Sequence, residues 1–153
     1  MARRSRSEEA DWLALLSFGL FLVALGWVWA TTPELPGKVL ELIRDFRLQN
    51  VTSHIVFPVP QHNHPVVYNA IMQLCFINGA LQIIVAALRL FIGDNLDRKA
   101  DSISGIVFSF TVGYLFSLLA DARLSWVMFL GGFLISVGLS IVTSSLIRLF
   151  GKT

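Results

Sequence analysis

The sequence predicts an all-α integral membrane protein, with four transmembrane helices in a bundle and an amphipathic interfacial helix in the first outer loop. Of its 153 residues, 55% are hydrophobic and only 14% are charged, and the mean hydropathy is +0.69. A soluble domain of this length cannot bury so much apolar surface. The charged residues are also segregated, because they leave four uncharged stretches, at residues 12–33, 65–88, 102–120 and 124–147.

Each uncharged stretch is long enough to cross a bilayer as a helix. At about 1.5 Å of rise per residue, about 20 residues cross a hydrocarbon core of about 30 Å. A helix also satisfies its own backbone hydrogen bonds, which lipid cannot do. The predicted spans are therefore about residues 12–32, 65–89, 102–121 and 124–148, all in one transmembrane domain that covers residues 1–153.

The first span follows three arginines, Arg3, Arg4 and Arg6, a pattern that also occurs in cleaved signal peptides. We expect a retained span, because the apolar stretch is longer than the core of about 7–15 residues in a typical signal peptide. The bulky Trp27 and Trp29 near its end are also unusual for a cleavage region. Cleavage is the alternative interpretation.

The orientation is predicted from the basic residues on the two sides of the membrane. With the N terminus inside, the inner side holds most of the 12 lysines and arginines, which favours N and C termini in the cytoplasm of a cell-membrane protein. Trp27, Trp29, Tyr68 and Trp126 then fall at the outer interface, where aromatic residues are enriched. The net charge of +2 is too small to indicate a nucleic-acid partner.

The outer loop, residues 33–64, contains the predicted amphipathic helix at about residues 36–49. Its apolar residues share one face and its charged residues the other, a pattern typical of a helix lying at the membrane surface. The alternative is a helix that packs across the mouth of the bundle. The apolar face consists of Val39, Leu42, Ile43 and Phe46.

All three histidines, His54, His62 and His64, lie at the end of this loop, where prolines prevent a regular helix. In an extended segment His62 and His64 point to the same side, a spacing that can hold a metal ion. No matching Cys or His cluster occurs elsewhere. We therefore expect a structural role at the outer ends of the helices, and no metal or other cofactor.

The second span carries four amide side chains. At about 100° per residue, Asn69 and Gln73 share one face, and Asn78 and Gln82 share the opposite face. These amides could line a path for a polar solute or ion. Hydrogen bonds between helices are the interpretation that we favour.

The third and fourth spans each carry small residues at every fourth position. They are separated by only a few residues, which predicts an antiparallel hairpin with these two ridges in contact. One register pairs Gly105 with Ser144, Ser109 with Ser140, Gly113 with Ser136, and Ser117 with Gly132. The same register brings Asp101 towards Arg148 at the inner interface.

The expected function is non-catalytic. No ionisable residue lies inside the four uncharged stretches, which argues against a proton-driven transporter, and no catalytic motif appears. We expect a structural or accessory subunit that assembles with itself or with other membrane proteins among membrane lipids. The alternatives are a small channel or facilitator lined by the amides of the second span and neighbouring hydroxyl groups, and a metal-dependent enzyme that uses the outer histidines.

Overall fold

The computed structural model describes residues 2–52 and 55–151, so His54 lies outside the described residues. Two helices come first and are followed by a β-hairpin and three further helices. In chain order these elements are α1 (Ala2–Thr31), α2 (Leu35–Asp45), β1 (Phe46–Thr52), β2 (Ile55–Pro60), α3 (Pro65–Ile92), α4 (Leu96–Ala120) and α5 (Trp126–Phe150).

Three of these helices, α3, α4 and α5, are long and apolar enough to cross a membrane. A fourth candidate is a bent pair formed by the Leu15–Thr31 part of α1 and by α2, which meet at an angle of 91°. By length and composition, the described residues therefore contain three spanning helices, or four if the bent pair counts as one span. These apolar helices are compatible with a membrane protein.

The helix ends follow from local chemistry. α3 begins at Pro65, whose fixed φ suits the first helical turn, and it ends at Gly93, which adopts the left-handed φ of 72°. α5 begins after Ser125, whose hydroxyl oxygen accepts a hydrogen bond from the backbone N–H of Met128 at 3.3 Å. The short α3–α4 and α4–α5 connections therefore lie at opposite ends of α4.

The helices pack mainly in the order α1, α3, α4, α5, each against the next. One buried apolar cluster joins α1, α2 and α3, and consists of Val28, Leu35, Val67 and Ala70. A second cluster joins α3, α4 and α5 through Tyr68, Leu119 and Phe129. Both clusters lie near the end of the molecule that carries α2 and the β-hairpin. The helices at the two ends of this row, α1 and α5, expose most of their large apolar side chains.

The predicted helix over residues 36–49 is too long, because α2 ends at Asp45 and the chain continues as β1. β1 and β2 form an antiparallel two-stranded sheet with Leu48 opposite Pro58. Proline lacks a backbone N–H, but an edge strand tolerates it where that position does not have to donate a hydrogen bond. The proline-rich segment, which cannot be helical, can therefore still pair with β1 as β2. The predicted all-α fold class did not include this β-hairpin.

α2 itself packs its apolar face on its neighbours. Leu35 is buried, and Val39 and Leu42 pack against the cluster that α1 and α3 form. Leu40 and Ile43 remain exposed on the other side of the helix. Ile43 therefore does not belong to the buried face, although the sequence grouped it with Val39 and Leu42.

Candidate functional site

A cavity of about 580 Å³ lies between α1, α3 and α4. It exists because α1 packs on α3 but not extensively on α4, which leaves a cleft between α1 and α4. Its wall is apolar towards α1, where Phe18, Leu20 and Phe21 line it. Polar groups line it on α3 and α4, among them Asn78, Gln82, Arg89, Asp101 and Ser102.

Two of the predicted amides, Asn78 and Gln82, lie where α3 meets α4. Asn78 donates a hydrogen bond from Nδ2 to the hydroxyl oxygen of Ser109 at 3.1 Å. Gln82 lies across the backbone of α4 at Gly105, so closely that a Cβ at Gly105 would collide with Gln82 Oε1. The side-chain oxygen of Gln82 is buried and has no hydrogen-bond partner, which leaves an acceptor beside the cavity unsatisfied.

Arg89 lies two turns further along α3, near its end. Its Nη1 donates a hydrogen bond to the backbone oxygen of Arg98 at 2.7 Å, and its Nε lies 4.0 Å from Asp94 Oδ2. Both Nε and Oδ2 are buried without a hydrogen bond, because 4.0 Å is too long for one. The guanidinium therefore has donor capacity left at the edge of the cavity.

The other two predicted amides, Asn69 and Gln73, do not join this site. Both side chains are exposed on α3. Neither makes a side-chain hydrogen bond among residues 2–52 and 55–151. The four amides of α3 thus divide into a pair that faces α4 and the cavity and a pair that faces away from the neighbouring helices.

The small-residue ridge of α4 faces α3, and the predicted contact of this ridge with α5 is therefore wrong for its glycines. A Cβ at Gly113 would meet Cys75 and Phe76 of α3 at 3.2 Å. The serine between the two glycines, Ser109, likewise bonds α3 through Asn78. The larger side chains of α3 fit against this ridge. The spacing of small residues identifies a small face on a helix, but it does not identify which neighbouring helix packs there.

The ridge of α5 does contact α4, but it meets a different face of that helix. Leu115 of α4 packs at Gly132, and Ser140 donates a hydrogen bond to the backbone oxygen of Ser104 at 3.2 Å. Ser136 is fully buried and donates to the backbone oxygen of Gly132 in its own helix at 2.9 Å. Ser117 of the α4 ridge also bonds within its helix, to Tyr114.

The structure brings the predicted pair Asp101 and Arg148 together, although the serines of α5 bond α4 four to five residues before their predicted partners. Arg148 Nη2 lies 2.7 Å from Asp101 Oδ1, and Arg148 Nε lies 3.3 Å from Asp97 Oδ1. Ser144 donates to the same oxygen of Asp101 at 3.4 Å. All three charged side chains are more than 40% exposed, so each pair contributes at most about 1 kcal/mol.

At the opposite end of the helices, His62 and His64 both bind Asp45, the last residue of α2. His62 Nδ1 lies 2.8 Å from Asp45 Oδ1, and His64 Nε2 lies 2.9 Å from Asp45 Oδ2. The backbone N–H of His62 also donates to Oδ2 at 2.7 Å. These hydrogen bonds, first the one from the His62 side chain, hold the pKa of Asp45 well below its usual value. The carboxylate is therefore ionised, and both imidazole nitrogens that face it carry a proton.

These hydrogen bonds connect the segment before α3 to the end of α2, and they do not form a set of metal ligands. The two imidazoles bind different oxygens of one carboxylate, and their N–H groups are used as donors. Among the described residues, no three His, Cys, Asp or Glu side chains are placed to hold a metal ion. Next to this cluster, Asn63 donates to the backbone oxygen of Ala120 at 3.1 Å, which joins the same segment to the end of α4.

Asp45 is the residue of this cluster that sequence reasoning missed. It lies 17 residues before His62 and 19 before His64, a separation that no local motif connects. The usable signal was a single carboxylate at the end of an amphipathic segment, followed by the only three histidines of the chain.

No protein-family model, curated protein or solved structure matches this chain.

Proposed function

We propose that this chain is a non-catalytic multi-pass membrane protein that serves as a structural or accessory subunit of an oligomer or of a larger membrane complex. The observation that carries the proposal is the exposed pair of amides, Asn69 and Gln73, on α3. They lie one turn apart on the same face of a helix that is apolar and long enough to span a membrane.

Gln73 lies more than one turn further into α3 than Tyr68, the residue predicted at the outer interface. An amide group that faces hydrocarbon there loses its hydrogen bonds to water and gains none in return. Within the described residues nothing in the chain bonds Asn69 or Gln73. A helix of another protein, or of a second copy, would supply the missing donors and acceptors. The row of helices supports such an assembly, because it leaves this face of α3 open instead of enclosing it.

In this proposal α1, α3, α4 and α5 all cross the membrane, and α2 lies at the outer interface with both termini in the cytoplasm. The right-angled turn between α1 and α2 supports this arrangement. So do the exposed Leu40 and Ile43 of α2, which would enter the interface beside its charged residues Lys38 and Arg44. The Asp45 cluster then fixes α2 and the hairpin to the start of α3.

The channel alternative has less support. Asn78 is already hydrogen-bonded to Ser109, and Asn69 and Gln73 are exposed on a different face of α3. The four amides therefore do not line one path. An enzymatic role for the outer histidines also lacks support, because Asp45 occupies a nitrogen of both imidazoles.

Native mass spectrometry of the full chain, extracted from its own membranes in a mild detergent, tests the proposal. We expect a defined species heavier than the 17.0 kDa of one chain. Replacing both Asn69 and Gln73 by Leu should release the monomer. The control is Gln49→Leu, which removes an exposed amide from the β-hairpin and should leave the assembly intact. A wild-type chain that is monomeric and carries no other protein would contradict the proposal.

A further inference from the structure

We infer that the cavity between α1, α3 and α4 binds an amphiphile with an acyl chain and an anionic headgroup, with the chain between α1 and α4 and the headgroup at Arg89. This inference concerns a different surface from the one that carries the proposed function. The exposed amides Asn69 and Gln73 do not line this cavity.

The shape of the cavity indicates the acyl chain. The volume of about 580 Å³ lies within the range of small-ligand sites. The cleft opens sideways between α1 and α4, which in a membrane is the direction of the lipid chains. Its apolar lining comes from Phe18, Leu20 and Phe21 of α1 and from Leu81 and Val85 of α3. An acyl chain in the cleft fills this space and gives the apolar side chains that line it packing partners.

The charges at one end of the cavity indicate an anionic headgroup. Arg89 lines the cavity, and its Nε is a buried donor without an acceptor. Asp94 offsets part of its charge from 4.0 Å. The carboxylate of Asp101 also lines the cavity, and Arg148 pairs with it at 2.7 Å. Arg98 and Lys99 lie in the first turn of α4 without lining the cavity, and neither forms an ion pair among the described residues. Basic residues between membrane helices are a known type of site for anionic headgroups.

A second unsatisfied atom lies deeper in the cavity. Gln82 Oε1 is a buried acceptor that no group of the chain reaches, and it lies two turns before Arg89 on the same helix. It requires a donor, which a water molecule held beside it provides, because the headgroup lies two turns away at Arg89. The cavity therefore has an apolar wall, a cation and an unused acceptor, which together fit an amphiphile better than a purely apolar molecule.

The test uses the full chain in a nonionic detergent and native mass spectrometry with added lipid. The probes are phosphatidylglycerol, phosphatidylcholine with the same acyl chains, and oleate. We expect phosphatidylglycerol to be retained about tenfold better than phosphatidylcholine, the factor that one charge-assisted hydrogen bond provides. Retention of oleate in place of phosphatidylglycerol would also support the inference, and would identify the head as a carboxylate.

Two variants separate the acyl chain from the headgroup. Ser17→Trp fills the cleft from α1 and should reduce retention of every probe. The double variant Arg89→Gln with Asp94→Asn removes the buried charge without leaving an unpaired one, and should abolish only the preference for an anionic head. Lys38→Gln removes a cation from the opposite end of the molecule and should change nothing. Equal retention of both phospholipids by a wild type that also fails to retain oleate, or unchanged retention by Ser17→Trp, would overturn the inference.

Discussion

At the scale of single residues, the glycines of α4, which carry no side chain, determine how closely this helix approaches α3. Gly113 leaves room for Cys75 and Phe76, and Gly105 leaves room for the side chain of Gln82. The fit is reciprocal, because Phe110 of α4 packs over Gly79 of α3, where an added Cβ would lie 3.0 Å from the ring. In a membrane, where packing rather than water drives helix association, such close approach supplies much of the stability.

Replacing Gly113 by Leu should separate α3 from α4 and lower the free energy of unfolding by about 1–3 kcal/mol, the usual cost of overpacking. Gly138→Leu is the matched control, because no atom lies within 4 Å of a Cβ added at that glycine. Unfolding in a mixed detergent, followed by circular dichroism, measures both values.

The same assay identifies the helix that Gly113 contacts. In double-mutant cycles, Gly113→Ala should couple to Phe76→Leu more strongly than to Ser136→Ala, because the ring of Phe76 is among the atoms nearest to a Cβ added at Gly113. Coupling to Ser136 instead would restore the original prediction that this glycine faces α5.

At the scale of elements, the sequence predicts the helices better than the contacts between them. Long uncharged stretches predicted the positions of α3, α4 and α5, because lipid admits few other structures. The spacing of small residues predicted a ridge on α4, an antiparallel pairing with α5 and the approach of Asp101 to Arg148. It did not predict the register, because Ser140 bonds Ser104 and Ser144 bonds Asp101, five and four residues before their predicted partners Ser109 and Gly105. It did not predict which neighbour the ridge contacts, because a helix surface has several faces and periodicity specifies only one of them.

The β-hairpin shows a different limit. The amphipathic pattern that predicts α2 continues into Phe46, so local sequence does not mark where the helix ends. Pairing with β2 and the hydrogen bonds of Asp45 end it there. Phe46 then packs edge-on against Trp126, with 5.5 Å between the ring centroids. These are contacts between distant parts of the chain, which single-sequence patterns do not contain.

The Asp45 cluster makes the attachment of α2 and the hairpin dependent on pH. Because its pKa is lowered by folding, the stabilisation is complete above the unfolded pKa of about 3.9 and is lost as the pH falls through the folded value. The titratable or charged side chains that face Asp45 or line the cavity beside it are Lys38, Glu41, Arg44, His62, His64 and Tyr68.

Asp45→Asn should therefore be less stable than the wild type at neutral pH, and the difference should shrink below about pH 4. The fluorescence of Trp126, in a chain whose other tryptophans are replaced by Phe, reports the melting of the hairpin. Glu41→Gln is the control, since Glu41 bonds only Lys38 at the surface, and it should keep the pH profile of the wild type. A difference between Asp45→Asn and the wild type that persists undiminished at low pH would refute this role of the carboxylate.

At the scale of the whole molecule, the central question is how often the chain crosses the membrane. α3, α4 and α5 qualify individually, whereas the Leu15–Thr31 part of α1 qualifies only together with α2, across a bend of 91°. Such a bent pair is either a span followed by an interfacial helix or a re-entrant loop. The two possibilities differ in one observable respect, because a span places the N terminus and the β-hairpin on opposite sides, and a re-entrant loop places them on the same side.

Labelling with an impermeant maleimide distinguishes these topologies when single cysteines are introduced into a Cys75→Ala chain. Gln49→Cys lies on an exposed position of β1, Asn95→Cys on the exposed connection before α4, and Ser5→Cys near the N terminus. We expect Gln49→Cys to react in intact cells, and the other two only after permeabilisation, because the distribution of basic residues favours cytoplasmic termini. If Ser5→Cys and Gln49→Cys react together in intact cells and Asn95→Cys does not, α1 and α2 form a re-entrant loop and the chain has three spans. Reaction of Ser5→Cys and Asn95→Cys but not Gln49→Cys in intact cells would keep four spans and invert their orientation.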